Sequence, residues 1–148
     1  LLHDVGEVVH RKSHHKHSEY LILNGRIPGM ESPQRELVAA TARGHRKSLP
    51  GKRKHEVFAT LDSKQQTEVL KMSALLRLAD TLDASRGQRV VALSTKNTED
   101  SVVLTVSSKG GTKPPAEAIE ARKADFRDVF GRSLEFCHQE VAASASEV

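Results

Sequence analysis

The amino-acid sequence predicts an α+β fold, in which a mainly α-helical bundle is followed by a small ββαβ subdomain. Before residue 87, apolar residues recur at helical spacing between residues typical of helix ends. After residue 87, the β-rich runs Val90–Leu93 and Val102–Val106 flank a polar turn, and helical spacing then returns. We therefore predict a helical domain over residues 1–87 and an α/β subdomain over residues 88–148.

The helical part contains a helix that ends near His10, followed by three further helices. The second is predicted from Ser18 to Asn24. The third has Ser32 as its N-cap and ends at Gly44. A capping box of Ser63 and Gln66 opens the last helix, which runs to about residue 83. Its predicted apolar face consists of Val69, Met72, Leu75, Leu76, Ala79 and Leu82, with Leu70, Ala74 and Leu78 beside it.

The C-terminal part begins with a predicted hairpin of the two β-rich runs. A linker over residues 110–115 leads to a helix over residues 116–130, with Gly131 as its stop. Residues 133–136 are predicted to form a third short strand, and residues 142–148 a frayed tail. We expect this subdomain to serve packing or assembly, because no cluster of catalytic residue types falls in it.

Composition and charge narrow the class of ligand. The formal net charge of +4 and pI of about 9.4 favour an anionic ligand. Aromatic residues make up only 3%, which disfavours stacking on single-stranded nucleic acid. The single cysteine, Cys137, excludes an intrachain disulfide and suits a reducing compartment. No apolar run reaches transmembrane length, so we expect a cytoplasmic protein without membrane association.

The residues that carry chemistry are histidines and aspartates spread over the helical part. His3 and Asp4 form an adjacent pair, and three histidines fall within residues 14–17. His45 follows the predicted helix end at residue 44, and Asp80 lies among apolar residues of the last helix. A carboxylate in such surroundings needs an ion pair, for which Arg77 is a candidate, or a metal. Imidazole and carboxylate groups are ligands of divalent metals.

These runs resemble the C-terminal HD region of the Ppx/GppA phosphatases, which are exopolyphosphatases and guanosine pentaphosphate phosphatases. The resemblance rests on LHDVG, HHKHSEYLI, ARGHRK and LLRLADTLDASR, and it covers about the first ninety residues. It implies an HD-domain bundle that holds one divalent ion (Mg, Mn, Fe or Zn). The implied metal ligands are His3, Asp4, His17, His45 and Asp80. A further family histidine would lie before residue 1 of this N-terminally truncated domain, which leaves metal occupancy of the fragment open.

Two basic loops, residues 11–16 and 46–54, flank the implied ligands. Arginine forks and lysine ammonium groups are the usual partners of phosphate oxygens. The loops therefore predict a phosphate clamp, although a solvated basic surface would show the same composition. The predicted phosphate-binding residues are His14, His15, Lys16, Arg46, Lys47, Arg53 and Arg86.

Three functional hypotheses follow. In the first, the chain is an accessory HD domain that binds polyphosphate or guanosine pentaphosphate, while the chemistry belongs to an N-terminal actin-like domain absent from this sequence. In the second, it is a self-sufficient metal-dependent HD phosphohydrolase. In the third, it is a nucleic-acid-binding module, which the low aromatic content disfavours for single strands but not for duplexes. We expect a homodimer and assign no catalytic residue.

Overall fold

The computed structural model describes residues 2–110 and 113–141 of the chain. It confirms the predicted α+β fold, since helices occupy the N-terminal part and a three-stranded sheet the C-terminal part. The elements in chain order are a 3₁₀-helix (Leu2–Val8), α1 (His14–Asn24), α2 (Ser32–Gly44), α3 (Glu56–Thr60), α4 (Ser63–Leu82), β1 (Val90–Asn97), β2 (Ser101–Lys109), α5 (Ala116–Phe130) and β3 (Ser133–Val141).

The chain forms two compact units, Leu1–Arg77 and Leu78–Val148. This division falls within α4, whereas the sequence placed a domain boundary after residue 87. The domain boundary after residue 87 therefore stays a prediction. Within the described residues, no helix is both long and apolar enough to cross a membrane.

The first unit has two apolar clusters that fix the helices around α2. One joins Ile22 of α1 to Ala39 and Ala42 of α2, and Val5 of the 3₁₀-helix packs against it. The other gathers Ala40, Phe58, Leu61 and Val69. Small alanines on α2 allow neighbouring helices to approach closely on both sides. Helix α2 is therefore the central element of this unit.

The 3₁₀-helix and α1 meet at a close backbone contact around Gly6. A Cβ atom on Gly6 would lie 2.2 Å from the carbonyl oxygen of His14 and 2.4 Å from the backbone nitrogen of Ser18. The Gly6 N–H donates to Ser18 Oγ (2.9 Å), and that hydroxyl donates to the His3 carbonyl (2.7 Å). Only glycine fits at position 6, and this contact places Asp4 beside the start of α1.

Several helix starts differ from the prediction. The opening segment is a 3₁₀-helix rather than an α-helix, and α1 begins at His14 rather than Ser18. Helix α2 begins at Ser32 itself, with Glu31 as its N-cap. Helix α3 was not predicted, because its five residues are too few to show a helical period.

The capping box of α4 lies one residue earlier than predicted. The Asp62 carboxylate accepts from the Gln65 N–H (2.9 Å), and the Gln65 side chain accepts from the Asp62 N–H (3.0 Å). Aspartate is as strong an N-cap as serine, so either register fits the sequence. Gln66, predicted to close the box, instead donates to the carbonyls of Phe58 and Leu61.

The buried side of α4 is more polar than its sequence predicts. Met72 is 57% exposed and Leu75 is 44% exposed, although both belong to the predicted apolar face. The buried stripe instead includes Val69, Ser73 and Arg77, which are four residues apart. Val69, Ala74 and Leu78 are buried as expected, but hydrophobicity alone could not show that the buried side also includes Ser73 and Arg77.

The second unit is the ββαβ arrangement that the sequence predicts. Strands β1 and β2 pair antiparallel, and β3 joins the other edge of β2 in parallel after α5. Helix α5 ends at Gly131, whose φ of 68° is left-handed. The third strand is confirmed, and it extends to Val141 rather than ending at residue 136. The core of the unit is Leu78, Leu104, Val106 and Leu134, with Phe126 and Phe136 packed against it.

Two predictions reach beyond the described residues. Residues 111 and 112 of the predicted linker lie outside them, as does the whole of the predicted tail over residues 142–148.

Candidate functional site

Three side chains of the first unit converge on one point and could hold a metal ion: Asp4, His14 and His45. Asp4 Oδ1 lies 3.3 Å from His14 Nε2 and 3.6 Å from His45 Nε2. The two Nε2 atoms are 2.9 Å apart. Both histidines are buried, whereas Asp4 is partly exposed. The 3₁₀-helix, the first turn of α1 and the end of α2 each contribute one of these groups.

Backbone contacts fix the orientation and tautomer of both histidines. His14 Nδ1 lies 3.1 Å from the carbonyl oxygen of Arg11, and His45 Nδ1 lies 2.5 Å from that of Ala42. A carbonyl oxygen only accepts hydrogen bonds, so each Nδ1 must donate. In the neutral rings, both Nε2 atoms then carry lone pairs that point towards each other and towards Asp4. Metal-binding histidines have this arrangement, with the second ring nitrogen donating to a carbonyl.

The size of this group fits a coordinated cation. Ligand atoms at about 2.0–2.1 Å from an ion are about 3.3–3.4 Å apart in tetrahedral geometry and about 2.9 Å apart at adjacent octahedral corners. The observed separations, from 2.9 to 3.6 Å, cover this range. Without a cation, or a proton on one Nε2 atom, two lone pairs and a carboxylate oxygen would repel one another at these distances. The donor set therefore fits a divalent metal ion.

The other predicted ligands have different positions. His3 Nε2 lies 3.1 Å from Asp4 Oδ2, and its ring packs edge-on against His45 with centroids 5.0 Å apart. His17 lies one turn after His14 on α1, and its Cβ is 2.8 Å from the Cβ position of a side chain at Gly6. The structure does not bring His17 into the three-residue group. Asp80 is half-buried on the part of α4 that belongs to the second unit. Its ligand role, like that of His17, stays a prediction.

A basic cleft of about 270 Å³ adjoins the candidate metal ligands along α1. His15 lines the cleft and follows His14 directly, and its ring lies 6.4 Å from that of His45. Four of the predicted phosphate-binding residues line this cleft: His15, Lys16, Arg46 and Lys47. Arg43, Ser48, Lys54 and His55 complete its wall.

Charge and burial make this cleft attractive to anions. Burial, and after it the nearby positive charge of Arg43, lower the pKa of His15 to about 4. Arg43 Nε lies 3.5 Å from Glu19 Oε2, while its buried Nη1 has no hydrogen-bond partner among the described residues. Burial raises the pKa of Glu19, against the opposing effect of Arg43. An arginine N–H without a partner beside a cationic cleft is a ready donor for a phosphate oxygen.

A second basic cleft of about 330 Å³ lies along residues 48–55. It shares Ser48, Lys54 and His55 with the first cleft, and Arg53 belongs to this second cleft only. Burial lowers the pKa of His55, whose Nδ1 accepts a hydrogen bond from the Gly51 N–H (3.0 Å). The two clefts therefore follow one another on the same loop.

The remaining predicted phosphate ligands, His14 and Arg86, are not among the residues that line either cleft. His14 lies with Asp4 and His45, and its predicted phosphate contact stays a prediction. Arg86 is exposed in the second unit with a left-handed φ of 53°. Its predicted phosphate contact stays a prediction.

Arg77 supports the end of α2, a role that the sequence did not indicate. Arg77 is 4% exposed, and its guanidinium donates to the carbonyls of Gly44 (3.4 Å) and Lys47 (3.2 Å). A cation at a helix C-terminus satisfies carbonyls and opposes the negative end of the helix dipole. Gly44 allows the approach, since a Cβ there would lie 2.6 Å from Ser73 Oγ. Arg77 thereby fixes the backbone on either side of His45.

Two comparisons with known proteins bear on the family of this chain. The sequence model of Ppx/GppA phosphatase, domain III, matches residues 1–114. The chain is also similar to a guanosine-5'-triphosphate,3'-diphosphate pyrophosphatase of Pseudoalteromonas translucida (strain TAC 125). The two are 38% identical over 48 residues, which cover 32% of this chain and 10% of that relative. The match thus spans about a tenth of the relative's length.

Proposed function

The chain belongs to the Ppx/GppA phosphatase family, and from this premise we propose that it binds phosphate-rich anions beside a divalent metal ion. The metal would be held by Asp4, His14 and His45. The anion would occupy the basic cleft that begins at His15. In this proposal the domain is the accessory, anion-binding part of a longer phosphatase that acts on polyphosphate or guanosine pentaphosphate.

The observation that carries the proposal is the adjacency of the two sites along α1. His14 faces the metal group, and His15 lines the basic cleft. An ion held beside His14 would add positive charge at one end of this cleft. Phosphate groups bound along the cleft would therefore meet both fixed cations and the metal, which favours an anion with several phosphates over a single phosphate.

The donor set favours some divalent metals over others. The two imidazoles suit borderline ions such as Zn or Fe, and the carboxylate also suits Mn. Mg prefers oxygen ligands and keeps most of its water. We therefore place Zn, Mn and Fe ahead of Mg. An ion of this kind, when bound, supplies Lewis-acid polarisation of a phosphoryl oxygen.

Metal analysis and anion titration test the proposal on the 148-residue chain. Dialysis against Zn or Mn should leave about one ion per chain, and Asp4→Asn should lower that occupancy. Tripolyphosphate should bind more tightly to the metal-loaded chain than to the chelator-treated chain. Retention of one tightly bound ion by both Asp4→Asn and a second variant, His45→Gln, would exclude the proposed ligand set.

Matched charge variants test the anion site. The double variant Arg46→Ala/Lys47→Ala removes two cations from the cleft, whereas Lys64→Ala/Lys71→Ala removes two exposed cations from α4. Net charge falls equally in both. Only the first should weaken tripolyphosphate binding, by about tenfold or more, since contacts to phosphate with charged donors are among the stronger hydrogen bonds. Equal effects of the two double variants would show nonspecific charge attraction.

A second candidate function is metal-dependent hydrolysis by this chain alone. It is favoured by the number of protein ligands, because three ligands are typical of catalytic zinc sites and structural sites have four. Release of inorganic phosphate from polyphosphate or guanosine pentaphosphate, abolished by Asp4→Asn, would support hydrolysis. Tight binding without phosphate release would support the accessory role. Preference for duplex DNA over polyphosphate at equal salt would contradict both.

A further inference from the structure

A partly buried carboxylate, that of Glu19, pairs with an arginine in the wall of the basic cleft that begins at His15. Glu19 follows His15 by one turn of α1, so both side chains project from the same side of that helix. Glu19 Oε2 lies 3.5 Å from Arg43 Nε, and the two side chains are 19% and 13% exposed, respectively. Arg43 lines the cleft, whereas Glu19 does not. The guanidinium of Arg43 therefore borders both a fixed negative charge and the space proposed for an anion.

This ion pair leaves hydrogen-bonding capacity unused on both of its members. The distance of 3.5 Å is longer than an ordinary N–H···O hydrogen bond. Arg43 Nε, Arg43 Nη1 and Glu19 Oε1 are buried, and none of the three atoms has a hydrogen-bond partner among the described residues. A guanidinium and a carboxylate in direct contact frequently form two parallel hydrogen bonds. Because this pair is incomplete, Arg43 keeps donors for a phosphate oxygen.

The negative charge of Glu19 is stabilised by Arg43. Burial raises the pKa of Glu19, Arg43 opposes that rise, and the charge of Glu56 at the start of α3 adds to it. A phosphate group that accepts from Arg43 would share this cation with Glu19 and would lie near its negative charge. Charges in a partly buried site are screened much less than exposed charges, so this repulsion opposes the binding of an anion.

We infer that Glu19 competes with a bound phosphate group for Arg43 and thereby limits the affinity of the basic cleft for anions. The inference rests on the proposed function, because it assigns an affinity-determining residue to the same cleft. Without an anion, Arg43 balances the charge of Glu19. With a phosphate group bound, Arg43 serves two anions, and part of its attraction for the phosphate is offset by the carboxylate. Loss of the carboxylate charge should therefore strengthen binding, whereas loss of a residue that only orients Arg43 would weaken it.

Titration of the 148-residue chain with tripolyphosphate, with a chelator present throughout, tests the competition. Glu19→Gln removes the charge but keeps the shape, and it should raise the affinity about fivefold, as expected for one partly exposed charge near the anion. Glu19→Ala should change the affinity in the same direction. The control Glu68→Gln changes the net charge equally at an exposed position on α4 and should leave the affinity within about twofold of the wild type.

The background Arg43→Met separates competition for Arg43 from general charge repulsion. In that background the donors for which Glu19 competes are gone, so Glu19→Gln should raise the affinity by less than it does in the wild type. Circular dichroism checks that each variant is folded. An equal rise in both backgrounds would overturn the inference, as would an unchanged or lower affinity of Glu19→Gln, and either result would leave the proposed function intact. A wild-type chain that binds no tripolyphosphate would contradict the proposed function and the inference with it.

Discussion

The Nε2 atoms of His14 and His45 lie 2.9 Å apart, although each ring already uses its Nδ1 in a contact with a backbone carbonyl. Two neutral rings in this arrangement bring two lone pairs together. Asp4 Oδ1 adds a negative charge within 3.6 Å of both. A bound cation or a proton on one Nε2 atom would remove this repulsion, and the Nδ1 contacts leave all three donor atoms facing one another, as in a metal site.

Metal binding should therefore stabilise this chain against thermal unfolding. A ligand present at about 100 times its dissociation constant stabilises the native state by about 2.7 kcal/mol. We expect Zn or Mn to raise the melting temperature of the wild type by several degrees, and a chelator to reverse the change.

The matched pair for this measurement is His14→Gln and His10→Gln. The first removes a candidate ligand and should abolish most of the metal-induced shift. The second removes an exposed ring in the loop before α1 and should keep the shift. An equal shift in wild type and His14→Gln would argue against His14 as a ligand.

Gly6 should tolerate no side chain. In Gly6→Ala, the new methyl group would meet the backbone of α1 at 2.2 Å, and backbone cannot rotate away as a side chain can. We expect the free energy of unfolding to fall by about 1–3 kcal/mol or more, as in other overpacked sites, and metal affinity to fall with it. Urea unfolding with and without metal measures both effects.

Gly51→Ala is the control for this substitution. A Cβ on Gly51 would have no neighbour within 4 Å, so the stability should change little or rise slightly. If Gly6→Ala were as stable as Gly51→Ala, the close contact between the 3₁₀-helix and α1 would be refuted.

Local patterns in the sequence predicted the helices and strands well, because β-branched runs and helix caps act over a few residues. The hairpin, α5 and its stop at Gly131 all follow from such signals. The polar part of the buried face of α4 does not follow from local signals. Ser73 and Arg77 are buried against the region around Gly44, which is distant from them in the sequence. A pattern of hydrophobic residues cannot predict that an arginine is buried.

The residues of the candidate site could likewise be predicted from the sequence only in part. The sequence placed Asp4 and His45 among the ligands, and the structure brings these two together. The choice among His14, His15 and His17 depends on where α1 begins, because one residue turns a side chain by about 100° around the helix. Ser13, with a left-handed φ of 64°, starts α1 at His14 and turns that ring towards Asp4. Serine in this conformation is too uncommon to be expected from sequence.

Arg77 should be essential for the backbone around His45. The variant Arg77→Met keeps much of the side-chain length but removes both hydrogen bonds to the carbonyls of Gly44 and Lys47. Hydrogen bonds of a charged donor contribute about 1.5–3 kcal/mol, so we expect the free energy of unfolding to fall by at least that amount. Metal affinity should also fall, because the end of α2 would no longer be held.

Arg53→Met removes an exposed guanidinium from the same unit and serves as the control. Chemical denaturation should place it within about 0.5 kcal/mol of the wild type. Equal stability of the two variants would mean that the contacts of Arg77 contribute nothing net to the fold.

The stability of the chain should fall as the pH falls below 6.5, partly because of His55. Burial lowers the pKa of this ring in the folded chain, and the positive charges of Arg43 and Lys54 lower it further, whereas its contact with the Gly51 carbonyl opposes the change. The unfolded chain then binds a proton more readily than the folded chain. The contribution of His55 to stability is therefore complete above the ordinary pKa of 6.5 and is lost as the pH falls towards the lowered value.

The variant His55→Gln isolates this contribution, because glutamine stays neutral at every pH. Urea unfolding between about pH 7.5 and pH 5 should give a shallower loss of stability for the variant than for the wild type, with the two curves approaching each other at the acidic end. The comparison is made without metal, so that ion release from Asp4, His14 and His45 does not add its own pH dependence. Parallel curves would show that protonation of His55 does not oppose folding.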